Sequence, residues 1–256
     1  MIDKIYNRLF QRLGKKFFCP VCGKNVNEFI PLPDFFKNNA EKYGYLYSFD
    51  DLETLNYGAY SCPHCQASDR DRLYALYVSR RLTERYAANV AMLEIAPSPP
   101  LSEMLKRTGK ISLCTADLMM DDVDDCVDIT DMTCYADDVF DAFICSHVLE
   151  HVPDDSRAMH ELFRVLKPGG WGILMVPIIL SIDRIDEDPL LEEIGARWRR
   201  FGQGDHVRTY SKNGFVKRIE DTGFVVRQYG QEYFGTDQFM TNGIADKSVL
   251  YVVEKK

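Results

Sequence analysis

Read as a pattern of apolar and polar positions, the chain changes character near residue 90. From there, apolar runs of four to eight residues alternate with segments whose apolar positions recur every three or four. The runs "VAMLEIA" (90–96), "ISLCTAD" (111–117), "CVDI" (126–129), "FDAFICS" (140–146) and "WGILMVPI" (171–178) predict strands. Helical spacing predicts helices over 99–107, 154–167 and 211–222. Strands that alternate with helices imply a parallel sheet built from βαβ units. Two later runs, "FVVRQYG" (224–230) and "SVLYVVE" (248–254), follow one another with no clear helical pattern between them, so an antiparallel edge is expected there. Upstream, residues 68–88 predict a helix with Leu73, Leu76, Tyr77 and Leu82 on one side, and 19–65 is irregular and turn-rich. Residues 2–17 place Ile2, Ile5, Leu9 and Leu13 at helical spacing beside Arg8, Arg12, Lys15 and Lys16. Such a stripe is expected to pack on its own domain, and it also offers a means of peripheral membrane contact.

Composition narrows the picture. Hydrophobic residues make up 46% and charged residues 27% of 256 positions, as in a soluble globular protein. The formal charge is −8, with 31 basic against 39 acidic side chains. That balance gives no electrostatic footprint for a phosphate backbone and disfavours a nucleic-acid partner. No apolar run reaches the roughly 18 residues of a membrane span, and the N-terminus lacks the order of a signal peptide, so a cytoplasmic location is expected.

Four of the eight cysteines form two tight pairs, Cys19/Cys22 in "CPVCG" and Cys62/Cys65 in "CPHCQ". In a reducing compartment, paired C-x-x-C motifs point to a metal before a disulfide. Each motif bends the backbone so that both sulfurs face one ion, and two of them complete the tetrahedron that structural zinc prefers. The expectation is a four-cysteine zinc site with a structural role and His64 as a bystander. Cys114, Cys126, Cys134 and Cys145 show no ligand spacing.

In open parallel sheets, ligands bind beyond the carboxyl ends of the strands, where strand order reverses. The first strand of the series ends at Glu94, Ile95 and Ala96 and runs into Pro97, Ser98, Pro99 and Pro100, a turn with no glycine. The missing glycines disfavour a pyrophosphate cradle and, with it, a hydride-transferring dehydrogenase. Asp117 ends the next strand and suits a ribose, whose two hydroxyls one carboxylate can accept. Asp128 and Ile129 end the third, offering a polar group and an apolar contact to an adenine. Ser98 is placed as an N-cap with Pro99 at the first helical position.

The stretch "FDAFICSHVLEHVPDDSRAMHELFRVLKPGGWGILMVP" (140–177) resembles the class I S-adenosylmethionine-dependent methyltransferases of the type 11 kind, in order and spacing. The resemblance covers roughly residues 90–256, and "IAPSPPL" and "FGQGDHVRTY" (201–210) are similar to a subgroup with an N-terminal zinc-ribbon-like segment. It implies an α/β, Rossmann-like, mostly parallel sheet of seven strands whose last strand is antiparallel. It also implies a division into residues 1–68, helix and zinc segment, and 69–256, methyltransferase domain. S-adenosyl-L-methionine would lie on Glu94, Ile95, Ala96, Pro97, Asp117, Leu118, Asp128, Ile129, Ser146 and His147. The implied reaction is methylation, with O-methylation of a small or sugar-like acceptor expected. Methyl transfer gains chiefly from proximity and needs a base only for an acceptor such as an alcohol. His206, beside Asp205, Arg208 and Tyr210, and His151 in "HVLEH" are the candidates for that base. Two alternatives stand beside this reading: a ribosomal RNA base methyltransferase gripping RNA through its zinc segment, and a non-catalytic methyltransferase-like module docking a protein.

Overall fold

The computed structural model describes residues 17–84 and 89–256; the helix expected over 2–17 falls outside them except for Phe17. The described chain opens with a two-stranded ribbon, β1 (Phe17–Cys19) and β2 (Lys24–Val26). Helix α1 (Asp34–Tyr43) and two short 3₁₀ turns follow within the segment that sequence alone reads as irregular. Helix α2 (Asp69–Glu84) then leads into the sheet.

The main strands are β3 (Val90–Ile95), β4 (Ile111–Asp117), β5 (Asp125–Cys126), β6 (Phe140–Ser146) and β7 (Leu166–Met175). Helices α3 (Pro99–Arg107) and α4 (Asp155–Val165) connect them. A small ribbon of β8 (Asp186–Glu187) and β9 (Arg208–Thr209) brackets α5 (Ile194–Phe201). The chain closes with α6 (Lys212–Glu220), β10 (Val225–Tyr229), α7 (Gln231–Phe234), α8 (Thr236–Thr241) and β11 (Leu250–Glu254).

Seven strands form one sheet in the order β10-β11-β7-β6-β3-β4-β5. Neighbours from β7 to β5 run parallel, and β11 lies antiparallel to both β7 and β10. This is the expected fold, with its order reversing at β3. The central strands are buried on both faces, which is why they read as continuous apolar runs. Gly172 is required by that packing: a Cβ there would sit 2.2 Å from Phe143 Cζ in the neighbouring strand.

Several more elements differ from the sequence expectation. The run 126–129 contributes only its first residue to β5, because Asp128 Oδ1 accepts from the amide and hydroxyl of Thr130 and turns the chain. β7 begins at Leu166 instead of Trp171, with Lys167–Gly170 looping out between the pairs Leu166↔Phe140 and Trp171↔Ala142. Two short helices, α7 and α8, separate the last two strands where no helix was read. They carry Tyr233, Phe234 and Phe239, which pack against Tyr77, Tyr229 and one another; tertiary burial, not helical spacing, makes them.

The cysteine-bearing segment is strapped across the carboxyl ends of the strands. Glu53 N–H donates to Ile178 O at 3.0 Å and Leu180 N–H to Asp51 O at 2.8 Å. Glu53, almost fully buried, accepts from Tyr251 and Lys212 at 2.7 Å each. Arg72 supplies a second tether. Its five N–H groups all meet backbone carbonyls, those of Ala59, Tyr60 and Ala67 on one side and Asn242 and Gly243 on the other.

Candidate active site

The glycine-free turn is built by other means. Ala96 takes the left-handed conformation at φ +49°, in the region where glycine is the usual occupant. Glu94, 1% exposed, accepts from Ser98 N–H at 3.2 Å and from Ser102 Oγ at 2.6 Å. The Ser98 hydroxyl donates to Asp71 rather than capping α3, although Pro99 does occupy the first helical position. Burial pushes the Glu94 carboxyl up to about 7, against the hydrogen bonds from Ser102 and Ser98.

Above this turn lies a polar cavity of about 290 Å³. Glu94, Ile95 and Ala96 form its floor with Ser146 and His147 from the end of β6. Ser68, Arg70, Asp71 and Tyr74 come from the start of α2, and Tyr60 and Gln66 from the cysteine segment. Sequence reasoning missed this second wall, though the charged run "SDRDR" (68–72) at a helix start was its visible signal. The cavity therefore offers two carboxylates and one guanidinium at short range, a lining that fits a zwitterion.

Farther along the strand ends, Asp117 Oδ1 accepts from Met119 and Met120 amides at 2.6 and 2.8 Å, which folds the loop beside it. Leu118 is half exposed beside it. Asp128 is exposed at its turn, whereas Ile129 is buried in the core. Pro97 is buried in the β3–α3 turn.

A second cavity, about 180 Å³, adjoins the first, and Tyr60, Arg70 and His147 line both. Its roof is apolar, from Leu32, Phe36, Tyr45, Phe49 and Leu52 of the cysteine segment; its floor holds His147, Glu150, His151 and His206. His147, like Ala96, sits at positive φ (+57°), which turns "HVLEH" sharply off the end of β6. Its Nδ1 lies 3.1 Å from Glu150 Oε1. Burial and the nearby Arg70 hold the His147 imidazole down at about 4. Burial opposes ionisation of Glu150, but the neighbouring imidazoles outweigh it and keep this carboxyl at about 2. His151 Nδ1 faces Asp205 Oδ2 at 3.4 Å; burial works against its charge, yet Asp205 and Glu150 raise its pKa. His206 is buried, its pKa lowered by that burial, and its Nδ1 meets Phe201 O at 3.2 Å. The His151 and His206 rings pack edge to face, 4.7 Å between centroids.

The structure thus brings His151 and His206, expected from separate motifs, to one cavity. It removes Arg208 from the site. That guanidinium is buried and binds the carbonyls of Leu149, Val152 and Pro153, so it braces the "HVLEH" loop. Tyr210 likewise donates to Asp155 at the start of α4. In the basic run of α5, residues 197–200, Trp198 is buried, and Arg200 pairs with Asp186 at 2.6 Å and Asp188 at 3.1 Å.

The two cysteine pairs also meet. Cys19 and Cys65 sulfurs are 3.7 Å apart and those of Cys22 and Cys62 3.9 Å, and all four lie within 4.8 Å of one another. A tetrahedral ion about 2.3 Å from each sulfur would set the sulfurs about 3.8 Å apart. Each motif closes alike: Gly23 and Gln66, four residues after the first cysteine, take positive φ and donate back to Cys19 O and Cys62 O. His64 is exposed and outside the group.

A seven-stranded sheet in this order, with one reversed strand and its cavities at the carboxyl ends, is the fold of the class I methyltransferases. Residues 77–174 match the family model described as a methyltransferase domain, and this stretch of the chain is such a domain. A ubiquinone biosynthesis O-methyltransferase of Alkalilimnicola ehrlichii is 26% identical over 118 residues, 41% of this chain and 46% of that protein. The namesake of Chromobacterium violaceum is 39% identical over 73 residues, 28% of this chain and 29% of that protein. The chain thus spans less than half the length of these curated relatives. Among solved structures, a SAM-dependent methyltransferase of Archaeoglobus fulgidus is similar over 74% of this chain and 95% of that one, at 12% identity and a TM-score of 0.47. Among the described residues, no helix is long and apolar enough to cross a membrane.

Proposed function

We propose that this protein transfers a methyl group from S-adenosylmethionine to a hydroxyl of a small molecule, with a structural zinc ion on Cys19, Cys22, Cys62 and Cys65. The observation that carries the reading is the pair of cavities meeting at Tyr60, Arg70 and His147, one lined by opposed charges and the other apolar with imidazoles at its floor. The first matches the amino-acid tail of the donor: Glu94 and Asp71 for its ammonium, Arg70 for its carboxylate. Arg70 compensates for the prolines, which leave few backbone donors in the turn. Asp117 keeps one carboxylate oxygen for the ribose, with Leu118 and the Asp128–Ile129 turn beside the adenine.

The donor, when bound, supplies a methyl group on a positively charged sulfur. The residues here align the acceptor and keep water out: the aromatic roof closes the second cavity, whose 180 Å³ suits a single ring, since a cavity of about 150 Å³ takes benzene. His206, with Nδ1–H directed to Phe201 O, presents Nε2 to the acceptor hydroxyl, and His151, oriented by Asp205, stands beside it. The partial matches to O-methyltransferases support oxygen as the acceptor atom.

The test is turnover with methyl-labelled donor and a panel of ring-bearing alcohols and phenols. His206→Ala should lower turnover about 10²–10⁴-fold, the ordinary worth of a positioned base, with S-adenosylhomocysteine affinity nearly unchanged. A large loss of that affinity would refute the assignment of His206 to the acceptor side.

A further inference from the structure

The floor of the acceptor cavity carries more unspent polar capacity than a base needs. Glu150 is fully buried; its Oε1 lies 3.1 Å from His147 Nδ1, and its Oε2 has no hydrogen-bond partner among the described residues. His206 Nε2 is likewise buried with no partner. Buried polar atoms left unpaired are rare and costly, so two such groups in one cluster point to something that both would bind.

Their arrangement identifies it. One donor atom each from Glu150, His151 and His206 lies within 4.8 Å of the others. Both imidazoles are tied at Nδ1, His206 to the Phe201 carbonyl and His151 to the Asp205 carboxylate, which leaves Nε2 of each for a ligand. This is the outer-shell pattern that orients metal-bound histidines. We infer that Glu150, His151 and His206 form a second metal site, a two-histidine, one-carboxylate set for a divalent transition metal at the acceptor position. Such a set holds one face of the ion and leaves the other positions open. It differs in kind from the four thiolates, which select soft ions.

The inference rests on the proposed methyl transfer for its use, though not for its existence. A cation held there would supply a Lewis acid that lowers the pKa of the acceptor hydroxyl, whose proton would pass to solvent at the Asp205 side of the cavity, so His151 and His206 would serve as its ligands in place of the base role given above. The oxygen lone pair then forms the bond to the methyl carbon while the carbon–sulfur pair returns to sulfur, leaving a neutral thioether.

The test uses the full chain loaded with zinc, with Co²⁺ as the probe. One further equivalent should bind, with d–d absorption and without the thiolate charge-transfer band that exchange into the cysteine site would give. His151→Ala should weaken cobalt binding at least tenfold, and Asp205→Asn, which removes only the orienting carboxylate, about 10–100-fold. Both positions are accessible enough to leave folding intact, whereas Glu150→Gln is the more direct but riskier variant. Failure to bind a second metal, or binding indifferent to His151→Ala, overturns the site and leaves a buried water as the occupant. S-adenosylhomocysteine titrated into the same samples separates the two ideas. Its binding without cobalt would sink the metal site alone, and cobalt without it would sink the methyl-transfer reading alone.

Discussion

Glu94 gives the sharpest prediction. Its carboxyl is held at about 7, against an ordinary 4.5, because burial opposes its charge; Asp71 adds to this and Lys106 subtracts. The folded state therefore retains a proton that the unfolded chain gives up. Stability from this group is greatest below the unfolded value and falls as pH rises through the folded one, by about 3 kcal/mol between pH 4.5 and 7. A ligand ammonium reverses the preference, since it binds the ionised carboxylate. With a folded value near 7, about a tenth of the protein is ionised here at pH 6 and about nine-tenths at pH 8. Affinity for S-adenosylhomocysteine should then rise about tenfold from pH 6 to pH 8, or about 1.4 kcal/mol. Isothermal titration at both values, repeated with Glu94→Gln, measures it. The variant can accept from Ser98 N–H at its amide oxygen and donate its amide nitrogen to Ser102 Oγ, and it should bind more weakly, without that slope. Equal slopes in the two proteins, or affinity that falls with pH, would refute the role given to Glu94.

Other outcomes follow from particular contacts. Gly172→Ala would drive a methyl group into the Phe143 ring and should cost about 1–3 kcal/mol or more in chemical denaturation; a neutral result would contradict the strand packing. Cys22→Ser should drop bound zinc well below one equivalent and lower the melting temperature, and full zinc retention would remove that cysteine from the ligand set. Arg72→Met strands five carbonyls and should destabilise by about 3–5 kcal/mol, loosening the cysteine segment first, as protease sensitivity near residues 59–67 would report. Ala96→Gly relieves a left-handed residue and should raise stability, or leave it level, without loss of ligand affinity.

How much of this was legible beforehand depended on whether a signal was local. The buried strands were readable because burial on both faces demands apolar runs, and the cysteine knuckles because ligand spacing is short-range. The edges were less so: Asp128 stops β5 through a side-chain turn, and the bulge at Lys167–Gly170 is visible only against its neighbour Phe140. Helices α7 and α8 depend on aromatic burial that no spacing announces. The site was legible in part. Glu150 and His151 in one motif and His206 in another could be singled out, but not that the two motifs would meet, since that depends on how α5 and β9 return to the "HVLEH" loop. The roof over the acceptor cavity was not readable at all, because Leu32 to Leu52 reach it only by docking across the strand ends. Arg72 and Arg208 reversed the usual expectation that arginines face water, by placing guanidinium groups among backbone carbonyls.

The most direct test of the account is a calorimetric titration of S-adenosylhomocysteine into the zinc-loaded protein and its Asp117→Ala variant. The account predicts micromolar binding that the variant loses, because the proline-rich turn with Ala96 at its hinge would then serve as a working cofactor loop. No detectable binding to the folded protein would contradict it and turn attention to a methyltransferase-like module that docks a partner.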